Sequence, residues 1–406
     1  MKKFIALILA LCLVFTMASG LTACTKPDDT GEDTGITDDG NADNGDGSGN
    51  TGDGNLPDDT GDDTVTVDVR PEGFKLKMTD GEFKILHLAD FHECFNGREW
   101  FDERNLEFME RIVDYTKPDL VVLGGDNVFP LSTLGELMYQ ETLKTIAGFG
   151  KFFDEREQYW TMVFGNHDDE CIFSKSQQLE HALKTSEYFV GGLEDGSYYK
   201  AFCDTEKEMI GNMAFPVYNG DEHAYNIFLF DSGSARAENA GLFGGKYNYI
   251  RDNQVEWYKN IALSDAEANG GVPVPSVMIT HIPLHEHKEA FYNRFDTSVV
   301  EKYVYDLAGQ YSLSAIRSTL YDVAVNRVKD VKGIFTGHNH LNGFTAVVKA
   351  AGGNKVMLST TRQAGVYWEN GVEYTINSGR LITLKADGSL STYEYHDSEE
   401  YHISID

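Results

Sequence analysis

The sequence predicts an α/β fold in which mixed sheets pack between helices. Three observations predict it. Five apolar runs each end in a short motif of His, Asp or Asn, and a helical pattern separates the first two runs. Short alternating segments with hairpin turns follow the last motif. Continuous apolar runs suit strands buried on both faces, and strand–helix–strand spacing argues for βαβ units with right-handed crossovers.

Residues 1–23 read as an export signal. Met1-Lys2-Lys3 is the positive start, and Phe4 to Ala18 is apolar but too short for a comfortable membrane span. The segment closes on Leu21-Thr22-Ala23-Cys24, which resembles the lipobox of bacterial lipoproteins. That resemblance implies lipidation of Cys24 and a tether to the outer face of the bacterial cell membrane. Residues 24–67 form an acidic Asp/Gly-rich linker with almost nothing apolar. Such a segment cannot bury enough surface to offset its ordering entropy, so disorder is expected, with a span on the order of 35 Å. A calcium loop around Asp43 to Asp53 fails, because no EF-hand glycine and closing glutamate fit there.

Residues 68–406 hold enough aromatic and β-branched residues for one large domain, and no internal linker divides them. The formal charge of −31 repels nucleic acid and polyanionic surfaces, which argues against a nuclease. Of the five cysteines, Cys94, Cys171 and Cys203 remain once Cys12 and Cys24 are set aside, an odd number that excludes a complete disulfide framework. Free buried thiols are expected, with a Cys94–Cys171 bridge as the alternative.

The first strand is Phe83 to Ala89, leading into Asp90-Phe91-His92. A helix with Phe101, Phe108, Met109, Ile112 and Val113 on one face follows and stops at Pro118. Leu120 to Leu123 leads into Gly125-Asp126-Asn127, and Tyr159 to Phe164 into Gly165-Asn166-His167-Asp168. Val277 to Ile279 leads into His281-Ile282-Pro283, and Ile334-Phe335 into Gly337-His338-Asn339-His340. Ile227 to Phe230 ends in Asp231 without a neighbouring histidine and reads as scaffold. Past His340, Lys355–Thr360, Gly365–Trp368, Arg380–Leu384 and Leu390–Tyr395 read as short antiparallel strands, with hairpin turns at Asn370-Gly371 and Asp387-Gly388.

Each motif alone is weak, since Asp-x-His can cap a strand end and Gly-Asp-Asn is a common turn. Their joint occurrence, in order and each after an apolar run, supplies ligands for two divalent metals side by side. Loops at the carboxyl ends of such strands converge, where open α/β sheets place their ligands. Imidazole and carboxylate suit manganese, iron and zinc, and two close cations with a shared carboxylate activate water for attack on phosphorus.

The set resembles the calcineurin-like metallophosphoesterase superfamily over residues 83 to 343. Gly165 to Glu170, His281 to Leu284 and Gln254 to Trp257 are similar to its purple-acid-phosphatase-like branch. The resemblance implies a metallo-dependent phosphatase fold, a four-layer sandwich of two mixed β-sheets flanked by α-helices. It implies one divalent or mixed-valence metal ion on Asp90, His92, Asp126 and His340. A second would sit on Asp126, Asn166, His281 and His338. His167 resembles the histidine that binds the phosphoryl group or protonates the leaving oxygen, and Asp168 is a candidate to orient it. His285 and His287 are candidates to touch substrate from a loop over the metals, the alternative being an exposed polar loop. Arg98, Trp100, Trp160 and Trp368 read as surface or core.

Two departures concern one position. Purple acid phosphatases carry a tyrosine ligand three residues after the bridging aspartate, and the protein phosphatases an aspartate; here Phe129 stands there. Ferric iron would lack its phenolate, which puts an iron requirement in doubt. The expected activity is hydrolysis of phosphomonoesters of small or mixed organic compounds, outside the cytoplasmic membrane. The alternatives are a phosphodiesterase acting on nucleotides or phospholipid head groups, or a non-catalytic lipoprotein that binds phosphorylated ligands.

Overall fold

A computed structural model describes residues 70–93, 102–129, 141–234, 247–304, 311–369, 372–396 and 399–405. The expected export signal, Cys24, the linker, Cys94, Arg98, Trp100, Phe101 and the Asn370-Gly371 turn lie outside the described residues.

In chain order the strands begin with β1 (Leu76–Lys77), β2 (Glu82–Leu88), β3 (Leu120–Gly124) and β4 (Trp160–Val163). Then come β5 (Lys200–Asp204), β6 (Met209–Asn219), β7 (Glu222–Phe230), β8 (Ser276–Thr280) and β9 (Val300–Val304). Next are β10 (Val331–Thr336), β11 (Thr345–Lys349), β12 (Lys355–Thr360), β13 (Val366–Glu369) and β14 (Val372–Thr375). The chain closes with β15 (Ser378–Lys385), β16 (Leu390–His396) and β17 (Glu399–Ile405). The helices are α1 (Glu103–Thr116), α2 (Glu141–Asp154), α3 (Lys175–Thr185), α4 (Asp252–Ala268) and α5 (His285–Tyr292).

One sheet runs β17-β16-β15-β2-β3-β4; the other runs β1-β6-β7-β8-β10-β12-β11-β9, with β5 on β6. The first three motif strands, β2, β3 and β4, are parallel neighbours in one sheet. The other two, β8 and β10, are parallel neighbours in the second. All five motifs therefore leave the carboxyl ends of their strands.

The side chains of β2 and β7 divide the fold into layers. Ile85 belongs to a core with Val122, Ile227, Leu229, Ile279 and Phe335, which lies between the sheets. Its neighbours Leu86 and Leu88 face Phe108, Met109, Ile112 and Phe153 of α1 and α2. Phe228 and Phe230 face Val255, Tyr258 and Ala262 of α4. Successive strand residues point to opposite faces, so an unbroken apolar run serves two cores at once. The result is helices, sheet, sheet, helices, the expected four-layer sandwich.

Helix α1 starts where the Asp102 carboxylate accepts from Arg104 N, and ends at Lys117 in the left-handed region, one residue before Pro118. Phe108, Met109, Ile112 and Val113 are its buried face, as the periodicity predicts. Two readings change. Lys355–Thr360 is β12, but it pairs parallel with β10 as well as antiparallel with β11, because the chain inserts it between them. The β6–β7 hairpin, Met209 to Phe230, is longer than the Ile227–Phe230 run suggests. No helix among the described residues is long and apolar enough to cross a membrane.

Candidate metal centre

The strand ends bring six predicted residues to one place. The metal-competent atoms of Asp90, His92, Asp126 and His340 lie within 4.8 Å of one another, and so do those of Asp126, His281 and His338. Asp126 belongs to both groups. His92 Nε2 and His340 Nε2 stand 3.0 Å apart, and His340 Nε2 is 3.5 Å from Asp90 Oδ1. His281 Nε2 lies 3.1 Å from Asp126 Oδ2 and 3.8 Å from Asp90 Oδ1.

Local backbone makes this convergence possible. Asp90, His92, Asp126 and His338 all hold positive φ, between 50° and 70°. Left-handed backbone is uncommon for non-glycine residues, and such strain concentrates at functional sites. Glycines give the room. A Cβ on Gly125 would fall 2.6 Å from His281 Nδ1, and one on Gly337 would fall 2.7 Å from Asp90 Oδ2.

Hydrogen bonds aim the donors. His281 Nδ1 is 2.9 Å from the Gly124 carbonyl, which fixes a proton on Nδ1 and turns Nε2 towards Asp126. Asp90 accepts from His338 N at 2.9 Å, and Asp126 Oδ1 accepts from His167 N at 2.7 Å. Asn166 Oδ1, His281 Nε2 and His338 Nε2 are buried without a hydrogen-bond partner. A buried polar atom left unmade costs about 1–3 kcal/mol, and His281 and His338 share one donor group with Asp126, which fits a bound cation. The donor set, imidazole with carboxylate, suits manganese, zinc or iron.

The electrostatics agree. Burial pulls the His281 pKa down, but the Asp126 and Asp90 carboxylates outweigh it and raise it to about 10. Burial lifts Asp90 to about 7, with the neighbouring Asp126 charge adding to the rise. Burial lowers His338 to about 3, and the His281 charge lowers it further. Burial also holds His92 well below its usual value. Opposed shifts in adjacent groups mark a functional site.

Two expectations change, those for His287 and Asp168. His287 does not reach the centre. It faces the core from α5, fully buried, with Nε2 3.2 Å from the Ile334 carbonyl. Helix α5 begins at His285, and its inner face carries His287 and Ala290, three residues apart. His285 is in neither metal group; half-buried, it lines a cleft with Ser232, Asn248, Tyr249 and Ser314. Asp168 does not orient His167. Its Oδ1 accepts from Asn127 N and Val128 N, and its Oδ2 from Gly165 N, so it ties the second motif to the third. Instead His167 Nδ1 is 2.9 Å from Glu170 Oε2. Among the described residues Cys171 and Cys203 are free, half-buried thiols, and Cys94 lies outside them.

Sequence reading missed Tyr247, whose ring meets the His338 ring edge-on at 4.5 Å. It also left open what Phe129 does. The ring stands half-exposed, 5.0 Å from the His167 ring and 5.7 Å from the His92 ring, at the mouth of the centre. Asp231 takes no part in the centre. It is buried in an ion pair with Lys175 at 2.7 Å.

The sequence pattern described as Calcineurin-like phosphoesterase matches residues 83–342, which contain all five motifs. The chain belongs to that family. Among curated proteins it is similar to "Probable inactive purple acid phosphatase 29" of Arabidopsis thaliana, 27% identical over 297 residues, 68% of this chain and 71% of that protein. "Probable inactive purple acid phosphatase 14" of the same plant is 26% identical over 294 residues, 66% and 68% of the two chains. Among solved structures, a dimetal phosphatase from Danio rerio aligns over 80% of this chain and 99% of that one, at 13% identity and a TM-score of 0.49.

Proposed function

We propose that this family member is a binuclear-metal hydrolase of phosphomonoesters, exported and tethered by lipid at Cys24 outside the cytoplasmic membrane. The observation that carries the enzymatic part is the pair of overlapping donor groups sharing Asp126. In this reading Asp90, His92, Asp126 and His340 hold one cation, and Asp126, Asn166, His281 and His338 hold the other. Bound there, the cations supply charge to stabilise phosphoryl oxygens and to make water a nucleophile near neutral pH. The protein's own residues do the rest. The Gly124 carbonyl keeps His281 in its ligating tautomer. Asp126 is held by the main chain of the histidine beside Asn166. His167, about a quarter exposed at the rim, gives a proton to the departing oxygen.

The tether is supported by the Leu21-to-Cys24 pattern, and the monoester preference by the absence of a basic cluster in the sequence that would hold a second phosphate. The word "inactive" in the names of the plant relatives favours a second reading, a non-catalytic binder of phosphorylated ligands. The chain's intact donor set supports catalysis instead. Metal-free protein loaded separately with manganese, zinc or iron, then given p-nitrophenyl phosphate and bis-p-nitrophenyl phosphate, separates the readings. Monoester turnover that Asp126→Asn abolishes together with its bound metal supports this one. Diester preference favours a phosphodiesterase, and no turnover favours the binder.

A further inference from the structure

We propose that Glu170 is the positioning residue of His167, an inference that rests on the phosphoesterase reading. The third motif ends in three consecutive carboxylates, Asp168, Asp169 and Glu170, and the structure separates their tasks. Asp168 is buried and spends both oxygens on the main chain of the Gly125-to-Val128 and Gly165 loops, with Asn127 Nδ2 a fourth, longer contact at 3.4 Å. Glu170 is half-exposed, and its side chain meets His167 Nδ1 at 2.9 Å.

The contact is built into one short turn. His167 precedes the 3₁₀ turn Asp168–Glu170, and Glu170 N donates to the His167 carbonyl at 3.0 Å. Residues three apart in a 3₁₀ turn eclipse, so the same turn that closes the main chain stacks the carboxylate on the imidazole. Phe129 and His92 rings lie 5.0 and 5.2 Å from the imidazole, which is thereby bounded by carboxylate and rings. With Nδ1–H donating to Glu170, Nε2 is the nitrogen left for substrate. Among the described residues Nε2 has no hydrogen-bond partner.

In the step this serves, the electron pair of the breaking P–O bond goes to the ester oxygen, which takes the proton from His167 Nε2. Water oxygen forms the new bond to phosphorus and releases its proton to solvent, and the imidazole regains its own from solvent. A leaving group that is already stable as an anion needs little of this help; an alkoxide needs most of it.

Manganese-loaded wild type, Glu170→Ala, Glu170→Gln, His167→Ala and the His167→Ala/Glu170→Ala double variant are compared on p-nitrophenyl phosphate and glycerol 2-phosphate. Glu170→Ala should lower kcat on the order of 10–100-fold for the alkyl ester and less than about 3-fold for the aryl ester. Glu170→Gln, which keeps an acceptor oxygen, should recover part of the loss. In the His167→Ala background, removing Glu170 should change nothing, because the two act as one unit. Equal losses on both esters, or a further drop in the double variant, overturn the proposal. Wild type inactive on both esters with every metal sinks the phosphoesterase reading instead. Long-range ¹H–¹⁵N spectra of the metal-free protein at alkaline pH then decide the positioning. An Nδ1–H tautomer at His167 that Glu170→Ala abolishes supports it, and an unchanged tautomer overturns it.

Discussion

Gly165→Ala tests the bridge by geometry alone, leaving every candidate ligand in the sequence. A Cβ at this position would lie 2.2 Å from Asp126 Oδ1, 2.3 Å from Asp126 N and 2.9 Å from Asp126 Cγ. Ordinary contact begins at 3.4 Å, so the carboxylate or the third motif's loop must yield by about 1 Å. Metal–ligand distances tolerate only about 0.2 Å, so the movement exceeds what a bound cation absorbs. Asp126 serves both donor groups, and one methyl group should therefore weaken both sites together, by ~100-fold or more. The fold should survive, since overpacking of this kind costs ~1–3 kcal/mol. The assay is metal content of the folded protein by elemental analysis, paired with titration of manganese into metal-free protein. Two ions retained at wild-type affinity would refute the reasoning, because the shared carboxylate would then not be where the metals meet.

Two further predictions concern stability. Lys175→Met strands the Asp231 carboxylate in the core, where among the described residues it keeps the Ile210 and Gly233 N–H donors. It should cost ~3–5 kcal/mol, and adding Asp231→Asn should restore part of that in denaturant unfolding; a Lys175→Met variant as stable as wild type would contradict the pair's importance. His287 is fully buried, and burial lowers its pKa from 6.5 to about 4. Between those values the unfolded state binds the extra proton, so this group's stabilisation is complete above 6.5 and is lost as pH falls towards 4. Comparison with His287→Asn isolates it from buried carboxylates such as Glu93 and Asp330, whose raised pKa values act in the opposite sense. Wild type should lose ~2 kcal/mol relative to the variant between about pH 8 and about pH 5, and parallel stability curves would show that His287 is not the titrating group.

Much of the centre was legible because its residues obey a simple rule: each stands where an apolar strand stops. Asp90, Asp126, Asn166, His281 and His338 all follow strands whose alternate residues fill two cores, so the same run that identifies the strand also locates its carboxyl end. The losses came where identity and order do not fix direction. His285 and His287 read alike in a polar stretch, yet α5 starts at the first and turns the second inward. Among Asp168, Asp169 and Glu170, only the turn decides which carboxylate meets His167. Lys355–Thr360 was visible as a strand, but its place between β10 and β11 depends on long-range pairing. Tyr247 follows a stretch without periodicity, and nothing in its neighbours predicts its contact with His338.

The central claim is that two cations share Asp126. X-ray absorption on manganese- or zinc-loaded protein, with metal counted per chain, tests it most directly in wild type and Asp126→Asn. The account predicts two ions per wild-type chain at a separation of about 3.5–4 Å, and loss of that metal–metal distance in the variant. A single ion per wild-type chain, or an unchanged pair in Asp126→Asn, would contradict it.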